Sequence, residues 1–180
     1  MTAVPAAPAG SNTVSPFIMT EDATALIAFV TEVFGATEAS EARTLDSDGL
    51  VLHSELHIGD SMITIADRKQ DWPFTPAFNR VYVDDVEATL SRAQALGAQV
   101  ITKPTEFFGD VFSRFQDPQA NLWWVYRHAA VTDGAEAWGD VEGDVEVDES
   151  ESWESFTSPE LDYIHSTLVE AMASLKDPRV

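Results

Sequence analysis

The stretch Val51-Leu52-His53-Ser54-Glu55-Leu56-His57-Ile58-Gly59 alternates polar and mostly apolar residues. On an extended strand, alternate side chains share a face, so His53, Glu55 and His57 line one side. Imidazole and carboxylate are zinc and iron ligands, and imidazole is also a general base near neutral pH. The outer two of three such residues lie about 13 Å apart at roughly 3.3 Å per residue, so all three cannot meet one ion. A pair such as His53 and Glu55, completed from another strand, fits a metal site. The row also fits a polar face that contacts a ligand, or side chains that simply face water.

A second set of candidates is richer in rings. In Phe78-Asn79-Arg80-Val81-Tyr82, the residues Phe78, Arg80 and Tyr82 share a face. The Arg80 guanidinium can hydrogen-bond an anion or carbonyl, or pair with one of the chain's many acids. Asp117-Pro118-Gln119-Ala120-Asn121 reads as a turn before the strand Leu122-Trp123-Trp124-Val125-Tyr126. Trp123 and Trp124 must point to opposite faces, so one joins a core and the other meets something else. The sequence has no phosphate-cradling glycine loop, G-x-S-x-G elbow or H-E-x-x-H motif. Cysteine is absent, which excludes disulfides and thiolate chemistry.

The 180 residues carry 31 acids against 10 Lys and Arg, for a net charge of −21. Residues 1–128 hold 17 acids and 8 bases; residues 129–180 hold 14 acids and 2 bases. Such a surface repels phosphate backbones and argues against nucleic-acid binding. No apolar run approaches the roughly 20 residues that span a bilayer, so no membrane partner is expected. The first residues lack a basic start and an apolar core, so they do not read as a secretory signal. A cytoplasmic protein is the default expectation.

Residues 1–13, rich in Ala and Pro, read as disordered. The chain then repeats a short strand, an acidic cap and a helix. Leu26, Phe29, Val30, Val33 and Phe34 form one stripe ending at Gly35; Val86, Leu90, Ala93 and Leu96 form the other, ending at Gly97. The offsets from Asp22 to Asp85 and from Gly35 to Gly97 differ by a single residue, which marks an internal duplication. Three strand candidates follow each helix, with a hairpin at Gly59-Asp60 and with Pro104 demoting its strand to an edge. The result is βαβββ twice, an α+β fold. Residues 129–157 form an acidic linker, with ten acids and no Lys or Arg between 133 and 154, expected to be mobile. Residues 158–176 form an amphipathic helix with Ser158 as cap, Pro159 in the first turn and a stripe of Leu161, Ile164, Leu168, Met172 and Leu175. That stripe needs a surface on this subunit or on a neighbour.

The duplicated unit and the D-P-x-x-N turn before an apolar strand resemble the glyoxalase/bleomycin-resistance/dioxygenase superfamily, the vicinal oxygen chelate proteins, over residues 14–128. HSELHIGDSMITIAD, LWWV and the late helix look most like its PhnB-like branch. The resemblance implies that the eight strands curl into a cup and that subunits pair as homodimers. It also implies metal ligands on the first and fourth strands of each module. Those positions hold Ser15, Thr64, Phe78 and Trp124 here, a set that cannot bind a divalent cation. Neither a metal nor another cofactor is therefore expected.

By the same resemblance Trp124 faces the cup with Leu122 and Tyr126, and Trp123 and Val125 lie beneath the helices. The expected function is metal-independent binding and sequestration of a small organic ligand by Phe17, His53, Glu55, His57, Phe78, Arg80, Tyr82, Trp124 and Tyr126. Phe17 serves the core equally well, and the aromatics could simply fill the cup. The alternative function is a lyase, isomerase or dioxygenase with a metal displaced to His53 and Glu55.

Overall fold

In a computed structural model, residues 7–8, 10–128 and 158–180 are described. The acidic linker, and with it the mobility expected of it, lies outside these residues, as does most of the N-terminal segment.

Short strand β1 (Phe17–Thr20) leads to α1 (Ala23–Phe34), then to β2 (Thr37–Leu45), β3 (Val51–Ile58) and β4 (Ser61–Asp67). The second module repeats the plan as β5 (Phe78–Tyr82), α2 (Val86–Ala95), β6 (Gln99–Phe107), β7 (Asp110–Gln116) and β8 (Leu122–Arg127). The duplication extends to topology. The eight strands divide into two four-stranded sheets ordered β1-β4-β3-β2 and β5-β8-β7-β6, each with one parallel pair.

Local chemistry sets the helix ends. The Asp22 and Asp85 carboxylates accept from the backbone N–H groups of Ala25 and Ala88, satisfying donors that a first turn leaves unpaired. Gly35 closes α1 at φ 68°, a left-handed conformation that costs glycine little. In α2 the cap is Leu96, with Gly97 just beyond it. Pro104 lies on β6, an edge strand whose register slips between Thr102 and Thr105.

One core serves both modules. Ile18, Ile63 and Ile65 of the first sheet pack with α1, α2 and Phe115, Trp123 and Val125 of the second. Phe34 carries the seam, with its ring 5.0 Å from Trp123 and 6.1 Å from Phe115. The inward row of β3 is Ser54 and Leu56, but Leu52 is exposed and Val51 buried. Register shifts between β2 and β3 at Thr44 and Leu45 change the alternation there.

The terminal helix α3 (Pro159–Ser174) is capped by Ser158 as its sequence dictates. It packs against β6 of its own chain. Its buried side chains are Ile164 and Ala171, whereas Met172 of the expected stripe is exposed. A small residue at 171 lets the helix approach the sheet where Met172 could not. The stripe is thus covered only in part by its own chain. Beyond the helix, Asp177 accepts two hydrogen bonds from Arg68, at 2.6 and 2.8 Å, tying the end of the chain to the first module. No helix among the described residues is long and apolar enough to cross a membrane.

Candidate functional site

The turn before β8 fixes the site's geometry. Asp117 is buried, and its Oδ1 accepts the backbone N–H groups of Gln119 and Asn121. Its Oδ2 accepts from the Trp123 indole at 2.8 Å. Asn121 in turn accepts from the N–H of Ala77, just ahead of β5. Burial pushes the Asp117 carboxyl up, while the bonds from Trp123, Asn121 and Gln119 oppose that shift. This hub locks Trp123 into the core. Trp124 is thereby directed to the opposite face.

On that face β5 and β8 run parallel in register, pairing Phe78 with Leu122, Arg80 with Trp124 and Tyr82 with Tyr126. Phe78 meets Trp124 edge-on at 6.0 Å. Arg80 stacks over Tyr126 at 4.4 Å and over Tyr82 at 5.7 Å. A hydrogen bond donated to the Tyr126 hydroxyl holds the Arg80 guanidinium above its ordinary pKa. Phe78, Arg80 and Tyr82 are exposed, Trp124 is half-buried, and Tyr126 is buried.

Tyr126 is covered because α3 lies over this part of the sheet. Ile164 packs with Phe112 and Tyr126, and Trp124 borders the cluster. The Tyr163 hydroxyl accepts from the backbone N–H of Lys103, and Thr102 and Thr167 share a hydrogen bond of 2.8 Å. Two hollows flank the site. A cleft of about 750 Å³ at the seam between modules touches Phe78, Arg80 and Tyr82, and a hollow of about 620 Å³ lies between the β6–β7 hairpin and the start of α3. Trp124 lines neither. The aromatic face is open along β5 and roofed by α3 beyond it.

The remaining four candidates lie together on the first sheet. Phe17 pairs with Thr64, Glu55 with Thr64 and His57 with Met62, so these residues share the face away from the helices. His53 Nε2 is 3.1 Å from Glu55 Oε1, and the His53 ring is 6.4 Å from that of Phe17. Phe17 is exposed and so does not join the core. Across the sheet, the partners of His53, Glu55 and His57 on β2 are Thr44, Ala39 and Thr37, none of them a strong ligand. Among the described residues, no group of three His, Asp or Glu side chains could hold a metal ion.

The positions at which the resemblance implies metal ligands lack imidazole and carboxylate. Ser15 and Thr64 offer only hydroxyls in one module, and Phe78 and Trp124 offer only rings in the other.

A model of the Glyoxalase/Bleomycin resistance protein/Dioxygenase superfamily matches residues 12–125. The chain belongs to that superfamily. Solved structures agree on the fold. TioX from Micromonospora sp. ML1 is 19% identical with a TM-score of 0.52, covering 67% of this chain and 99% of TioX. A glyoxalase/bleomycin resistance protein/dioxygenase family enzyme from Burkholderia phytofirmans PsJN is 23% identical with a TM-score of 0.52, covering 62% of this chain and 94% of its own. A Pseudomonas aeruginosa protein, PA1353, is 17% identical with a TM-score of 0.55, covering 67% and 100%. At these identities the likeness speaks for fold alone. No curated protein sequence matches the chain.

Sequence reasoning missed Arg114, Thr102 and Phe112, which share the face of Trp124. The signal was the alternation in Asp110-Val111-Phe112-Ser113-Arg114. It needed the β7–β8 register to be useful, because alternation alone does not say which row lies beside Trp124.

Proposed function

We propose that this protein binds a small organic molecule without a metal, holding it against the aromatic face of the second sheet and sequestering rather than transforming it. The observation that carries this reading is the pair Phe78 and Trp124, rings in edge-on contact at 6.0 Å where relatives would place metal ligands. An indole offers a large flat surface, and ring contacts contribute about 0.5–1.5 kcal/mol beyond area burial. Arg80 and Tyr82, exposed on the same face, supply hydrogen bonds that orient a ligand. Quenching of tryptophan fluorescence by flat aromatic ligands tests the reading, with Trp124→Phe identifying which of the five tryptophans responds. Binding that survives Trp124→Ala unchanged would overturn it.

The contact of His53 with Glu55 supports a second reading, a metal-dependent lyase, isomerase or dioxygenase. Stoichiometric zinc, iron, nickel or manganese in purified protein, lost in His53→Ala, would favour it. Under either reading we expect a homodimer. Phe17, Phe78 and Tyr82 are each more than half exposed on β1 and β5, edge strands with open backbone groups. Light scattering at micromolar concentration should give twice the 19.7 kDa chain mass, and a monomer would exclude the dimer.

A further inference from the structure

Arg114 stands on β7 directly beside Trp124 in register. It is 5% exposed. Its guanidinium carbon lies 4.5 Å from the Phe112 ring centroid and 5.2 Å from that of Trp124. Nη1 donates to Thr102 Oγ1 at 3.2 Å and to the main-chain oxygen of Ile164 at 2.7 Å, while Nε has no partner.

A buried cation ordinarily carries a counter-ion, because an uncompensated charge out of water costs several kcal/mol or more. This chain has 31 acids for 10 Lys and Arg. Its ion pairs among the described residues nevertheless engage Arg43, Arg68, Lys69 and Arg179, not Arg114. Burial lowers the Arg114 pKa to about 10, which leaves it charged at neutral pH. The group nearest to a counter-ion is an uncharged carbonyl, lent by a helix laid over the cup. A carboxylate would engage two guanidinium N–H groups at once and neutralise the charge, and a carbonyl does neither.

We propose that Arg114 is the anion-recognising residue of the second sheet's aromatic face and that the ligand class is an aromatic carboxylate, its ring on Trp124 and its carboxylate in place of the Ile164 oxygen. The proposal rests on the aromatic-face reading and deepens it. In the closed arrangement α3 is a stand-in for the ligand, seated by Thr102, Lys103 and Arg114 around two buried side chains, Ile164 and Ala171. Because Arg114 is enclosed beneath Ile164, the anion reaches it only as α3 gives up that seat. Ligand and helix therefore compete.

The test uses the full chain and two probes of one shape, cinnamate and its neutral amide, titrated by calorimetry. Cinnamate should bind at least about tenfold tighter, the range of a hydrogen bond to a charged group. Amide exchange across Pro159–Ser174 should speed up when it binds, and Arg114→Met should erase the preference for the acid. Asp177→Asn, which loosens the helix end without touching the site, should tighten cinnamate. Equal binding of acid and amide overturns the anion site while leaving the aromatic face standing. Tighter acid binding with no change in α3 exchange and no effect of Asp177→Asn overturns the shared seat. If neither probe binds, both this inference and the reading beneath it fall. The wild-type comparison and Asp177→Asn keep the test decisive if Arg114→Met does not fold.

Discussion

Two adjacent tryptophans face opposite ways, Trp123 into the core and Trp124 onto the face proposed to hold a ligand. Trp123 is 1% exposed, with Phe34 and Phe115 against its ring and its indole N–H on Asp117. Trp123→Ala should cost about 3–5 kcal/mol in urea denaturation, through lost transfer energy and a cavity. Trp124→Ala should cost clearly less, because its ring is half-exposed, and should weaken aromatic ligands instead. Equal destabilisation by the two would mean that Trp124 only fills space. Asp117→Ala provides a second check. It strands the buried N–H of Asn121 and the Trp123 indole, at about 1–3 kcal/mol for each lost partner, so a loss of several kcal/mol is expected. The alternation of side chains made the split between Trp123 and Trp124 legible in the sequence. The role of Asp117 as a buried hub was not. Asp is a common turn residue whatever its burial, and its partners become apparent only once β8 lies beside β5.

Among the elements, α3 shows how far a helix can be read without its seat. Its cap, its proline and its length follow from Ser158, Pro159 and the apolar spacing. Its position on β6 does not, because an apolar stripe states that a partner exists and not which one. Its last anchor is electrostatic and therefore depends on pH. Arg68 holds the Asp177 carboxyl well below its ordinary 3.8, chiefly through the paired hydrogen bonds. With the folded pKa depressed, the folded state binds fewer protons than the unfolded chain below that ordinary value. The anchor's contribution is thus complete above about pH 5, and it is lost as pH falls through 3.8 toward the depressed value. Amide exchange in α3, relative to its intrinsic rate at each pH, should accelerate over that range before the sheets open. Asp177→Asn should reproduce the acceleration at neutral pH. An unchanged exchange rate in that variant would show that the clamp does not hold the helix.

At the scale of the whole molecule, the two modules are copies in topology but not independent in energy. The duplication was legible because caps and terminal glycines recur at a nearly constant offset. Which residues join the modules in one core was not, since each helical stripe could have been satisfied by its own sheet. In the folded chain, Phe34 from α1 lies on Phe115 and Trp123 of the second module. Arg92 from α2 donates twice to the main-chain oxygen of Val33, capping the end of α1 across the seam. Losing either module would expose the apolar face of the other, so neither is expected to survive alone. Residues 14–128 should therefore unfold in a single transition, with calorimetric and van't Hoff enthalpies that agree. Phe34→Ala should lower stability by about 3 kcal/mol and shift that transition without dividing it. Two resolved transitions in the variant would show that the modules share only a surface, with Phe34 as the link that had kept them together.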